Sequence, residues 1–384
     1  MLLRNTFQFF KLKPAAALSL LFATSSLMLG VWAAALPFMK NRMGLSDGDL
    51  GLLLLIAPVG SLLGVYLSTR VFRRIKVGNW LGIGNIAQAV LFGFEVWCPY
   101  PWLFGILLFL RGLLGFLNGV ALNTVISNLE REHKRKLLST CHAIYSIGGA
   151  IGAGFAALMF GLGFSSQIQI LLMLFALLVG ILFLRPMYAK NDYFIHSGSG
   201  FKFPDKNIIG LSFICLVLFM CEGSVVDWSS IYLKRDILAP LSLISLGYGG
   251  FSIAMTLGRL NGDIIIPKFG GKKIIIFGTL VSALGFSLVS QSTSSIWVIS
   301  GFVSIGIGSC CIVPVLFGAI AQIPNVSPVQ GFGMITSGGL IGFVAGPSII
   351  GFISQQWSLS LGFLFCVLML LLASFVGWRN KFLT

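Results

Sequence analysis

Charge is scarce in this 384-residue sequence: Asp, Glu, Lys and Arg together make up 10%, against about 25% in ordinary soluble domains. That scarcity excludes a water-soluble globular protein, which needs far more charge on its surface. Acids are scarcer still, 11 against 26 Lys and Arg, giving a formal net charge of +15. Only three histidines occur, and the seven cysteines (Cys98, Cys141, Cys215, Cys221, Cys310, Cys311, Cys366) show no CxxC or Cys/His ligand spacing. A metal centre and a disulfide framework are therefore not expected. HExxH, GxSxG with partners and GK[ST] are all missing, and with them the metalloprotease, hydrolase and phosphate-loop readings. Gly82-Ile83-Gly84 and Gly306-Ile307-Gly308 fall inside apolar runs, without the strand–turn–helix context of a nucleotide loop. The expectation is of no enzyme and no cofactor.

What the chain has instead is hydrophobic length. Mean hydropathy is +0.96, and runs of about 20 apolar residues, the length that crosses a bilayer, recur twelve times. They lie near 15–37, 50–69, 80–97, 102–127, 138–161, 166–184, 207–233, 241–266, 274–290, 295–321, 331–354 and 358–378. The expected fold is an all-α integral membrane protein with twelve transmembrane helices in two pseudo-symmetric six-helix bundles. The bundles span 1–184 and 207–384, and a cytoplasmic linker, 185–206, joins them. Basic residues sit in short clusters between runs, not on a soluble face interleaved with aromatics, so the lipid bilayer is the expected partner and nucleic acid is not.

Twenty of the 26 Lys and Arg lie in the N-terminal segment, the C-terminal segment and the loops on their side; four (Lys40, Arg42, Lys234, Arg235) lie in the opposite loops. The positive-inside bias then puts both termini in the cytoplasm of a bacterial inner membrane. The first run, with Lys11 and Lys13 before it and Ala33-Ala34-Ala35 within it, has the ingredients of a cleaved leader. Its apolar stretch is too long for one, and its removal would leave eleven spans, so it is read as a membrane span.

Identities recur at roughly half the chain length. Lys40, Gly64 and Arg74 match Lys234, Gly258 and Lys268; Gly112 and Gly119 match Gly301 and Gly308; Gly148, Gly149, Gly152 and Gly161 match Gly338, Gly339, Gly342 and Gly351. Six spans separate the copies, so the halves enter the membrane in the same direction, as a parallel duplication. The glycines at i and i+4, Gly148 with Gly152 and Gly338 with Gly342, form small-residue strips that let helix backbones approach closely. Such strips suit either a surface on which two bundles rock or ordinary static packing.

Several motifs resemble the major facilitator superfamily. GRLNGDIIIPKFGGKK (258–273) is similar to its loop motif of Gly, Asp and following basic residues, whereas the first copy, GVYLSTRVFRRIKVG (64–78), has Thr69 where the acid is expected. RGLLGFLNGVALNTVISNLER (111–131), CHAIYSIGGAIG (141–152), EGSVVDWSSIYL (222–233) and GFVAGPSIIG (342–351) resemble the fucose-permease-like branch and its bacterial sugar-permease-like relatives. The resemblance implies secondary transport of a small polar solute, such as a sugar, by alternating access with protons as a second partner. A monomer suffices for that mechanism. Gly346-Pro347 lies in the eleventh run and the fifth has no proline, which disfavours a drug exporter of the same superfamily. A non-transporting sensor or assembly protein is the reading from another class.

Intramembrane ionisable residues are rare and default to functional hypotheses. Arg111 and Glu222 lie at similar depths in spans four and seven, roughly 15 and 18 Å from the span ends at 1.5 Å per residue. The resemblance places spans one, four, seven and ten around a central cavity, so Arg111 and Glu222 are expected to meet there, with Glu222 as proton carrier. Asn118, seven residues from Arg111, returns to the same helix face. Ser25, with Thr24 and Ser26, can present hydroxyls to the solute, while Trp32 and Trp228 either line the pathway or anchor at the membrane interface. Asp227 is expected to pair near Lys234 and Arg235, and Glu95, close to a span end, to be solvated. Arg259 and Asp263, spaced i,i+4, are assigned by the resemblance to an inner gate together with Arg74 and Lys268. His142 and Tyr145 open the fifth span.

Overall fold

The computed structural model describes residues 9, 11–134, 137–188, 208–320, 323 and 328–383; among them all regular structure is helical. Seven helices precede residue 189: α1 (Lys13–Arg42), α2 (Asp47–Leu54), α3 (Ile56–Arg74), α4 (Val77–Trp97), α5 (Pro101–His133), α6 (Leu138–Gly161) and α7 (Ser166–Tyr188). Eight follow: α8 (Ile209–Arg235), α9 (Leu246–Leu260), α10 (Gly262–Phe269), α11 (Gly271–Gln291), α12 (Ser295–Ser309), α13 (Ile312–Ala319), α14 (Pro328–Gln356) and α15 (Leu359–Arg379). Among the described residues, eleven stretches are long and apolar enough to cross a bilayer. The remaining membrane helix, α4, has 21 residues, about 31 Å at 1.5 Å per residue. It is less apolar because Asn85, Gln88 and Glu95 interrupt its hydrophobic sequence.

Three spans are broken where the sequence reading had continuous runs. Pro58 and Pro314 lie on the third residues of α3 and α13. Lacking an N–H, neither can donate to the carbonyl four residues back, Leu54 and Cys310 respectively, and the helices part there. The third break separates α9 from α10 at Asn261, whose side-chain amide donates to the Leu257 carbonyl at 2.8 Å and so competes with the backbone ladder. Gly270, with φ +78°, then turns the chain from α10 into α11 in a conformation few other residues adopt. Of the expected linker, residues 189–206 lie outside the described residues.

Contacts divide the chain into two compact units: residues 1–35 with 56–198, and residues 36–55 with 199–384. The division differs from the halves read in the sequence by assigning 36–55, the end of α1 and all of α2, to the second unit.

In the first unit α3 lies against α5 through Gly60 and Gly112: a Cβ on Gly60 would strike the Phe109 carbonyl, and one on Gly112 the Ala57 carbonyl. An apolar core including Leu18, Leu21, Phe72, Leu117, Leu122 and Ile126 fills the space beside them. Helix α6 lies on α1 through the expected glycine strip. A Cβ on Gly148 would meet the Ala23 carbonyl, and one on Gly152 the Leu27 carbonyl. The second unit repeats the arrangement with α14 on α8, where Gly338 faces the Ser212 carbonyl and Gly342 the Leu216 carbonyl. The glycine pairs are 190 residues apart and their partners, Ala23 to Ser212 and Leu27 to Leu216, 189 apart. The sequence repeat is thus a repeat of contacts. Each strip joins two helices of its own unit.

Candidate binding and coupling residues

Helices α1, α4 and α5 bring together a stacked polar site inside the first unit. On α4, Asn85, Gln88, Phe92 and Glu95 recur at spacings of three, four and three, which keeps them on one helix face. Arg111 Nε donates to Glu95 Oε1 at 2.8 Å; Glu95 is 0% exposed and Arg111 14%. The guanidinium also packs against two aromatic rings, its Cζ 4.6 Å from the Trp32 centroid and 5.0 Å from that of Phe92. Trp32 Nε1 and Glu95 Oε2 are buried and make no hydrogen bond among the described residues. This arrangement makes a buried arginine tolerable, since carboxylate and ring faces replace the water it has lost.

Below that pair lies an uncharged layer. Asn118 Nδ2 donates to Gln88 Oε1 at 2.7 Å, and Trp80 Nε1 donates to Asn118 Oδ1 at 2.9 Å. Ser25 Oγ reaches Gln88 Oε1 at 3.4 Å and Asn85 Oδ1 at 3.5 Å. Every helix contributes the two layers seven residues apart: Ser25 and Trp32 on α1, Gln88 and Glu95 on α4, Asn118 and Arg111 on α5. Seven residues are nearly two turns, so the layers stand about 10.5 Å apart. Amide and hydroxyl groups occupy one level, and a neutralised ion pair walled by aromatics occupies the other.

The structure corrects several expectations. Arg111 pairs with Glu95 of its own unit and not with Glu222, and Glu95 is buried where solvation was expected. Glu222 has Arg259 as its cation, with Nη2 3.7 Å from Oε1; the two side chains are 17% and 24% exposed. Arg259 lies thirteen residues into α9, as Glu222 lies thirteen into α8, so it stands well inside its helix pair. Its expected i,i+4 partner, Asp263, lies outside the residues whose side chains are described. Glu222 Oε1 accepts no hydrogen bond among the described residues. Trp228 is fully buried, and its indole donates to the Pro347 carbonyl at 3.1 Å, where a pathway lining or an interfacial anchor was expected. Thr24 and Ser26 donate to the Leu21 and Ala23 carbonyls, so of the three hydroxyls only Ser25 joins the polar layer. Arg74 and Lys268 are exposed, the latter 5.6 Å from the Phe269 ring. His142 and Tyr145 both pack on Phe22, at 5.1 and 4.5 Å between centroids. All seven cysteines are free and buried.

A further cluster, unmarked in the sequence reading, centres on Asp47 in the second unit. Asp47 is buried; its Oδ2 accepts from Arg235 at 2.6 Å and from the Ser354 hydroxyl, and its Oδ1 lies 3.0 Å from the Lys40 ammonium as an ion pair. Asp227 is buried too, and Arg235 serves Asp47 and Asp236. Around the cluster, Ser46 caps α2 in a capping box with Asp49 and reaches Gln355 at 3.1 Å, while Ser348 donates to the Gly51 carbonyl at 2.7 Å.

Comparison with known proteins adds a lineage to this geometry. Residues 211–381 match the family model of the Major Facilitator Superfamily. An uncharacterised MFS-type transporter of Yersinia pestis is 34% identical over 361 residues, covering 92% of this chain and 92% of its own. Among solved structures, a variant of the nucleoside transporter NupG superposes with a TM-score of 0.75 at 11% identity, covering 96% of this chain and 99% of that one. A D-xylose–proton symporter superposes with a TM-score of 0.69 at 14% identity, covering 96% and 98%.

Proposed function

The chain belongs to the major facilitator superfamily of membrane transporters, and from that premise we propose a secondary active transporter that moves a small polar, hydroxyl-rich solute such as a sugar. In this reading the protein sits in the bacterial inner membrane with both termini cytoplasmic, and its six-helix halves, 1–184 and 207–384, alternate access to the solute while protons move with it. The observation that carries the reading is the double layer on α1, α4 and α5.

The layer chemistry supports a neutral, hydroxyl-bearing cargo. Asn85, Gln88, Asn118 and Ser25 offer donors and acceptors without net charge, and a solute hydroxyl can exchange into hydrogen bonds they now make with one another. Trp32 and Trp80 supply flat apolar faces beside them. Arg111 is compensated by Glu95, so the site carries no spare charge to favour an anion. That D-xylose and nucleosides are carried by proteins of this fold accords with such a cargo. Glu222 is assigned the coupling role, because its contact with Arg259 is longer than that between Glu95 and Arg111. A carboxylate held loosely can take up and release a proton without a tight hydrogen bond being broken first.

Counterflow in proteoliposomes tests the proposal. Vesicles preloaded with sugars, nucleosides, organic acids or amines are presented with the labelled counterpart, with and without an imposed pH gradient. Counterflow of a neutral polyhydroxylated solute, driven uphill by the gradient, is the expected result. Exchange of amines or organic acids alone points to a different cargo, and no exchange for any class favours a non-transporting membrane protein.

A further inference from the structure

The second unit contains a groove of about 820 Å³ between α9–α10 on one side and α11–α12 on the other, within the 300–1,000 Å³ typical of ligand sites. Its walls are almost wholly apolar, with Ile253, Leu257, Val281 and Ile307 among them. Ile253, Leu257, Phe277 and Ile307 are each more than half exposed, so the groove opens outward along a hydrophobic face and not into a polar pathway. One end is different. Lys273 lines the groove there, and Lys268 and Lys272 lie within five residues of it. No acidic residue lines it among the described residues.

An elongated apolar trough with Lys273 at one end, and two further lysines close to it in sequence, matches one kind of occupant in a membrane. The geometry points to a phospholipid with an anionic headgroup, its acyl chain along α9 and α11 and its phosphate among Lys268, Lys272 and Lys273. Basic pockets between membrane helices recognise such headgroups through charge, and lysine stems extend along apolar surface while their ammonium groups reach the headgroup level. From Lys273 to Val281 the groove follows α11 for about 12 Å, a length that an acyl segment fills and a bare anion does not.

The position gives the lipid a task beyond solvation. Asn261, at the break between α9 and α10, and Cys310 and Cys311, at the break between α12 and α13, all line the groove. A chain seated there braces two interrupted helices at once. Gly258 and Asn261 flank Arg259 within two residues, so the brace also bears on the cation that faces Glu222. This site is independent of the solute reading and stands or falls apart from it.

The test uses the full-length protein released from mixed vesicles of phosphatidylglycerol and phosphatidylcholine in equal amounts, with the retained lipid identified by native mass spectrometry. The unmodified protein is expected to retain phosphatidylglycerol over phosphatidylcholine by about tenfold, a preference that shrinks as salt rises. Replacing all three lysines (K268Q, K272Q and K273Q together) abolishes the preference while lipid is still retained, and Val281→Trp, which fills the trough and leaves the lysines, reduces retention of both lipids. Equal retention of the two lipids by the unmodified protein overturns the assignment whatever the variants do. So does displacement of phosphatidylglycerol by an uncharged apolar solute at equal concentration, which would mark the groove as a site for such solutes.

Discussion

Glu95 and Arg111 lie on neighbouring antiparallel helices and share a 2.8 Å hydrogen bond from which water is excluded on the carboxylate side. Their separation from the amide layer by seven residues on each helix makes the pair the upper half of one site. Buried pairs of this kind contribute little over an apolar substitute, yet removing one partner strands the other at a cost of roughly 3–5 kcal/mol. Glu95→Gln and Arg111→Gln are each expected to lower thermal stability in detergent by an amount in that range. The double variant is expected to recover most of it and remain inactive in counterflow. Full activity in the double variant would remove the pair from the binding site.

Much of this site was legible in the sequence, and the missing part has a physical cause. Seven-residue spacing on a helix is a property of the chain, so Asn118 could be placed beside Arg111 on the same helix face. Which neighbouring helix faces that stripe is a tertiary fact that spacing does not contain. Glu95 lies two residues from the end of α4, a position where carboxylates ordinarily meet water, and only the packing of α1 and α5 over it reveals otherwise. A signal was nonetheless present: Asn85, Gln88 and Glu95 give α4 a polar face, and a polar face on a membrane helix needs polar partners. Arg259 was misplaced for a different reason. Its i,i+4 spacing to Asp263 suggested a partner on its own helix, whereas the carboxylate that faces it, Glu222, comes from α8.

The glycine strips make a controlled comparison possible within one helix. A Cβ at Gly152 meets the Leu27 backbone, whereas one at Gly154 meets nothing within 4 Å. Gly152→Ala is therefore expected to destabilise by about 1–3 kcal/mol through overpacking, and Gly154→Ala to be neutral or slightly stabilising because alanine favours the helix. The repeat predicts the same penalty for Gly342→Ala, against the Leu216 carbonyl. Melting curves of the three variants decide the matter. Equal curves for Gly152→Ala and Gly154→Ala would mean that the close approach of α6 to α1 is absent.

Asp47 gathers two cations and a hydroxyl from α1, α8 and α14, and so ties residues 36–55 to the second unit. A double-mutant cycle with Asp47→Asn and Arg235→Gln isolates the direct bond. Half-exposed Arg235 is partly screened by solvent, so the expected coupling is about 0.5–3 kcal/mol and it should fall as salt is raised. A coupling indistinguishable from zero would leave Lys40 and Ser354 as the groups that hold Asp47.

Coupling to protons is the prediction in which the two intramembrane ion pairs part company. Glu95 is fully buried and hydrogen-bonded to its arginine at 2.8 Å, whereas Glu222 is partly exposed, with its arginine at 3.7 Å. Taking a proton at Glu95 would break a hydrogen bond and strand Arg111; taking one at Glu222 releases only a longer electrostatic contact. Glu222→Gln, which mimics the protonated carboxyl, is therefore expected to keep counterflow near the unmodified rate, since exchange requires no net proton movement. It should lose the uphill accumulation that a pH gradient drives. Arg259→Gln, which removes the cation facing Glu222, is expected to weaken gradient-driven uptake more than exchange. Parallel measurements of exchange and of gradient-driven uptake in the same vesicles separate these effects, and retention of uphill uptake by Glu222→Gln would move the coupling role to another group.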